Sequence, residues 1–291
     1  MQRICISMLE MLIKPKNAER HPWEMFFVGI FYASISVLLV NWIFSQDAVL
    51  AKYSGVLVVT FTVMLSLPFM YYLIKLEEKK DLVYSGMFRM MKEHSKALAA
   101  LLWLFLGFVV AFSFWYIVLP SQHSFSAQIE TYCLINRPNN LDDCIKMYTE
   151  GKVKATTFLT AKERVFAIFA NNIYVLIFTL IFSLVFGAGA IFVLAWNASV
   201  IAAAIGIFTK SELSYLPLGV AKYMIHGLPE IAAYFIVAMA GGIVGIAVIR
   251  HDTKSDKFWN IMQDSLNLII LAVIVLFIAA LIEVFITPAL F

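Results

Sequence analysis

Charged residues divide this chain into apolar windows that can be read one at a time. Met25 to Gln46 lies between Glu24 and Asp47, and Tyr53 to Ile74 lies between Lys52 and Lys75. Ala97 to Leu119 runs from Lys96 to Pro120, and Ile231 to Ile249 lies between Glu230 and Arg250. Ser265 to Phe291 holds a single charge, Glu283. A helix needs about 20 apolar residues to cross a hydrocarbon core about 30 Å thick, because it rises about 1.5 Å per residue. Each of these windows is long enough. Val165 to Thr209 carries no charge and is about twice that length. The run Gly187-Ala188-Gly189-Ala190 near its middle predicts a break, with Gly187 and Gly189 at the turn and helices at roughly 165–186 and 190–209. One long tilted helix is the alternative. The pattern predicts seven spans.

Between the spans the pattern becomes helical and two-faced. Ile6, Leu9 and Ile13 recur at helical spacing in a run too short to span, which predicts an amphipathic helix on the membrane surface. The stretch 76–95 sets Leu82, Val83, Met87, Met90 and Met91 against a set of Glu and Lys, and reads as a second surface helix or as a polar linker. Trp23, Trp42, Tyr53, Tyr71, Tyr72, Trp115 and Trp259 fall near span ends, as an interfacial belt requires. The expected fold is an all-α polytopic membrane bundle with interfacial amphipathic helices. It divides into 1–119, with three spans; a loop, 120–163; and a C-terminal core, 164–291.

Composition narrows the class further. The chain is 62% hydrophobic and 14% charged, against about 25% charged in soluble domains. A disordered chain, a disulfide mini-protein and an ordinary soluble enzyme are excluded. The net charge of +3 is small and dispersed, so nucleic acid is not an expected partner. The expected partners are the lipid bilayer and a homo-oligomer or membrane-protein complex. Of the 22 Lys and Arg, thirteen fall on the side of the N-terminus and nine opposite, in longer loops. That bias predicts a cell-membrane protein with the N-terminus cytoplasmic and the C-terminus outside. The 120–163 loop is then external, where oxidising conditions favour a disulfide between Cys133 and Cys144 over two unpaired thiols.

Polar groups inside spans cost free energy and are functional candidates. Asn171 and Asn172 fall about two turns into the fourth span, and Asn197 near the middle of the fifth. His226 and Glu230 stand where the sixth begins, and Glu283 two turns before the end of the seventh. The topology brings all six toward one level, in the outer leaflet. Gly227 and Pro229 between His226 and Glu230 predict a helix break, with a new helix starting near Gly227 and Glu230 in its first turn. The segment 213–225 would then be re-entrant or interfacial. Asn residues inside spans serve mostly to hydrogen-bond neighbouring helices. His226 and Glu230 would need at least one more ligand to form a metal site, for which Glu283 is the only obvious extra, and no HExxH or GxSxG occurs. No metal, cofactor or catalytic residue is expected.

Several of these residues occur in a recognisable order. Phe169-Ala170-Asn171-Asn172, Phe186-Gly187-Ala188-Gly189, Trp196-Asn197, His226-Gly227-Leu228-Pro229-Glu230 and Glu283-Val284-Phe285-Ile286-Thr287-Pro288 resemble, in order and spacing, the stage II sporulation protein M (SpoIIM) family. The resemblance covers roughly 165–288, and the first half is similar to archaeal members. Ala198 departs from the Gly often found there. The resemblance implies a helical membrane core with a shared polar cluster and no known catalytic residues. It also implies, from the family's namesake, a scaffold or assembly factor in envelope remodelling. The buried polar set by itself leaves a transporter or channel open.

Overall fold

The computed structural model describes residues 15–44, 47, 49–81, 87–119, 122–136, 141–150, 161–186, 190–209, 212–249 and 256–291. The surface helix expected over Ile4 to Ile13 lies outside them. Among the described residues there is no strand. A short helix, α1 (Pro15–Arg20), precedes α2 (Glu24–Phe44), α3 (Ser54–Asp81) and α4 (Met87–Val118). A tight turn at Gln122–Phe125 leads into two short helices, α5 (Ser126–Asn136) and α6 (Leu141–Glu150). Then come α7 (Ala161–Phe186), α8 (Ala190–Phe208), α9 (Leu216–Ile249) and α10 (Asp256–Leu281). The last passes through a π-helical turn (Ile282–Ile286) into α11 (Thr287–Leu290). Among the described residues, seven helices, α2 to α4 and α7 to α10, are long and apolar enough to cross a membrane. The chain is a multi-pass membrane bundle.

The double-length window does divide: α7 ends at Phe186 and α8 begins at Ala190. Gly187 and Gly189 themselves lie outside the described residues. Two other expectations need correction. The stretch 76–95 contributes the ends of two spans, with α3 continuing to Asp81 and α4 beginning at Met87. Lys and Glu are good helix formers, so a charge cluster marks where a helix leaves lipid and not where it stops.

The second correction concerns Gly227 and Pro229. No helix starts there; α9 runs unbroken through both, from Leu216 to Ile249. Magnitudes explain why. Pro229 withdraws one N–H and leaves the Ile225 carbonyl without its helical partner. Ending the helix at that depth would expose up to four carbonyls, and restarting it up to four N–H groups, where no water can satisfy them. The true start is marked by Pro217 in the first turn. Glu230 is therefore a mid-helix residue and gains nothing from a helix N-terminus.

Lipid tails are as apolar as Leu, so the spans associate by close packing and hydrogen bonds. Small residues decide which helices lie at the centre. The Ala-rich α8 and α9 and the Gly107-bearing α4 have 61%, 72% and 61% of their apolar windows buried, against 17% for α7 and 28% for α10. α2 lies along α4 and α3; α7 and α10 lie along α9; α8 and α9 join the two groups. Gly29 of α2 meets Gly107 of α4 so closely that a methyl at either would overlap backbone of the other helix. Gly241 and Gly245 of α9, four residues apart, stand against the Leu180 and Leu184 carbonyls of α7 in the same way.

The 120–163 stretch contains more than loop. Phe125, Gln128, Ile129 and Cys133 recur at helical spacing and are fully buried, so α5 is wedged into the bundle between α3 and α8. Gln128 Nε2 donates to the Gly55 carbonyl of α3 at 2.9 Å and to Ser199 Oγ of α8 at 3.2 Å. Gly55 is required, because a side chain there would occupy the place of the Gln128 amide. The expected disulfide joins Cys133 and Cys144, with Cα atoms 5.8 Å apart, and ties α6 to α5.

Candidate functional site

Three peripheral and central helices converge on the middle of α9. Its Glu230 carboxylate accepts from the Tyr234 hydroxyl, one turn on, at 2.9 Å. The same carboxylate accepts a hydrogen bond from the Asn172 amide of α7. Asn171 Nδ2 reaches Asn172 Oδ1 at 3.4 Å and so supports it from behind. Glu283 comes from the π turn and stands within electrostatic range of Glu230, while Arg164 at the start of α7 acts on Glu283. Asn172 and Glu230 are thus bonded across α7 and α9, with Glu283 within electrostatic range of them.

The π turn sets the geometry on the α10 side. Pro288 has no N–H, and its ring crowds the carbonyl four residues back, which opens the last turn before it. The Thr287 N–H bonds five residues back to the Ile282 carbonyl, and Thr287 Oγ1 donates to the same carbonyl at 3.2 Å. His226 Nδ1 lies 3.2 Å from Thr287 Oγ1. Since that hydroxyl proton is directed at Ile282, the His226 proton belongs on Nδ1, and Nε2 is left as an acceptor. His226 is thus held to the C-terminal end and not to Glu230, although the two share α9.

Asn197 does not join the cluster. Its amide donates back to the Val193 carbonyl of its own helix at 2.7 Å, a local bond that short polar side chains readily make. Gly227 packs against Met224 and Ile201, not at a break. Five tyrosines that stand here were not among the expected site residues. Tyr234 shares the Glu230 face by its four-residue spacing, which was a readable signal. Tyr223 of α9 hydrogen-bonds Tyr132 of the wedged α5, with Tyr148 of α6 close by, and its ring lies 6.0 Å from that of His226. Tyr116 of α4 lies near both hairpin tyrosines. No local pattern predicts that meeting, because it depends on where α5 is seated. Lys222 Nζ lies 4.0 Å from the centre of the Phe208 ring at the edge of the group, a favourable cation–π distance.

The arrangement is a set of side chains from α4 to α7, α9 and the C-terminal turns that bond to one another or stand within electrostatic range. Among the described residues, no three His, Cys, Asp or Glu are grouped so as to hold a metal ion. Chemically, the site links α7 to α9, α5 to α9, and α9 to the C-terminal turns through hydrogen bonds.

The chain matches the Stage II sporulation protein M (SpoIIM) family over residues 97–288. That is about two thirds of its length, and the chain belongs to this family. The matched region starts at α4 and so includes the α5–α6 hairpin as well as the polar cluster. No curated protein and no solved structure matches the chain.

Proposed function

We propose that this SpoIIM-family chain is a membrane-embedded scaffold or assembly factor for membrane or envelope remodelling, and that partners dock on its α5–α6 hairpin. The observation that carries the reading is how firmly the hairpin is held. Gln128 bonds it to α3 and α8, Tyr132 to α9, and Cys133–Cys144 joins its two arms. Its outward side presents Leu134, Ile135, Asp142, Asp143 and Lys146. A rigid exposed projection keeps the ordering cost of binding low. The polar groups beneath it are engaged with one another, which supports a structural task for them. No catalytic residue is assigned. The Lys and Arg distribution supports an external hairpin, with the N-terminus in the cytoplasm.

The test is to cross-link intact membranes and recover the full chain. The expected result is a defined partner that is lost when Asp142→Lys and Asp143→Lys are combined, at unchanged chain level and disulfide content. Recovery that is indifferent to the double variant would overturn the docking role. Solute flux into liposomes that Glu230→Gln and Glu283→Gln abolish would replace scaffold with transport.

A further inference from the structure

The least covered span carries a polar group in the one place where lipid cannot serve it. α7 buries Asn172, Leu176, Thr179 and Ser183 against the bundle. Its exposed side carries a stripe of Ala167, Tyr174, Phe178, Ile181 and Val185, at spacings of seven, four, three and four residues, with Phe166, Ile177 and Leu184 exposed beside it. That is the repeat of a helix–helix seam. Tyr174 stands at the centre of this face and is 73% exposed. It is thirteen residues from the start of α7 and twelve from its end, so its hydroxyl lies near the bilayer midplane, about 15 Å from either interface. The other exposed tyrosines among the described residues are placed differently. Tyr53 and Tyr215 flank helix starts, and Tyr71 lies beside Lys75, where α3 becomes charged. They have water within reach, and Tyr174 does not.

We propose that two copies of the chain pair in the membrane through α7, in the same orientation, with Tyr174 against Tyr174. Depth selects the occupant. A lipid tail offers no hydrogen-bonding group. A second copy related by a two-fold axis along the membrane normal places each residue at the same depth as its counterpart. A hydroxyl is both donor and acceptor, so it satisfies a copy of itself. Ala167 at one end of the seam allows close approach, and Phe178, Ile181 and Val185 fill the other. The proposal rests on α7 alone and does not depend on the scaffold reading: pairing and partner docking on the hairpin can fail separately.

The experiment uses the full chain in its native membrane with Cys5→Ser, leaving Cys133–Cys144 intact. Single cysteines are placed at Tyr174 or Ile181 in the seam, or at Ile274, an equally exposed position on α10, and oxidised with copper phenanthroline. The expected result is a cross-linked dimer from Ile181→Cys and Tyr174→Cys but not from Ile274→Cys. In a second measurement, Tyr174→Phe is expected to weaken dimerisation in liposomes, read by energy transfer between labelled copies, by roughly three- to twentyfold. Cross-linking at the seam no greater than at Ile274, adducts only of another mass, or dimerisation unchanged by Tyr174→Phe would each overturn the proposal. Ile181→Cys retains the tyrosine, so that arm holds even if Tyr174 variants fail to accumulate.

Discussion

The α2–α4 crossing and the α7–α9–α10 junction both hold helices together without help from water, and they do so by different chemistry. At the crossing, Gly29 and Gly107 let two backbones touch, and a side-chain bond, Trp115 Nε1 to Ser34 Oγ at 2.9 Å, accompanies the apolar contact. At the junction, glycines also bring α9 onto α7, but Asn172, Glu230, Tyr234, His226 and Thr287 add directed bonds. Close packing tolerates no added atom. Directed bonds tolerate substitution by a group that keeps the bond. The two regions should therefore fail in different ways.

The largest effect is expected from Gly107→Leu. The obstacle is the α2 backbone, so the cost should exceed the ~1–3 kcal/mol of ordinary overpacking. The chain is expected not to accumulate in membranes, as immunoblotting of membrane fractions would show; normal levels would mean that α2 can swing away. Next is the link between the regions. Breaking Cys133–Cys144, eleven residues apart, with a double Ser variant is expected to lower stability by about 3 kcal/mol, read as thermal unfolding in detergent. At the junction, Glu230→Leu should cost about 1–2 kcal/mol, because the Tyr234 hydroxyl and the Asn172 amide lose their acceptor. Glu230→Gln, which keeps an acceptor oxygen, should recover most of that in the same melt. Equal losses for the two variants would mean that charge matters at this site and bonding does not. At the crossing, Trp115→Phe removes one bond and should cost about 0.6 kcal/mol.

The smallest effect belongs to a loop outside both regions. Asp47 accepts from the Val49 and Leu50 N–H groups at 2.8 and 2.9 Å. The Leu50 bond foremost, then that of Val49, holds its carboxyl below the ordinary value of 3.8. The folded state thus prefers the ionised form. The contribution is complete above the ordinary carboxylate range and is lost as pH falls through the lowered value. Native chain should show a small acid-side loss that Asp47→Asn lacks, measured as melting temperature between about pH 5 and pH 2. Identical profiles would show that the turn contributes nothing to folding.

The sequence carried the spans because lipid imposes a one-dimensional rule: charge-free length. That rule located α2, α4, α7 and α8 to within a few residues on at least one side. It is silent about where a helix continues into water. For that reason α3, α4 and α9 extend past their windows, and α9 passes through Pro229. Depth put six polar residues at one expected level; of these, Asn172 bonds Glu230 and Glu283 stands within electrostatic range of it. Rotation about the helix axis was not legible. Asn197 has a suitable depth but turns to Val193, and His226 turns to Thr287 because the π turn brings that hydroxyl round. Hydropathy does not register a π turn, which changes no residue's polarity. The seating of α5 was equally invisible, since its partners Gly55 and Ser199 lie 73 and 71 residues away.

That seating has a consequence for the order of events during synthesis. Cys133 and Cys144 leave the ribosome well before Ser199, so the bond between them can close while α8 is still being made. The slot that receives Gln128 has one wall from α3 and one from α8, and it does not exist until the fifth span has been inserted. The hairpin can therefore take its final seat only after α8 is in place, by which time its clasp can already be closed. In this protein the third span is synthesised early, yet the segment that follows it is among the last to find its place.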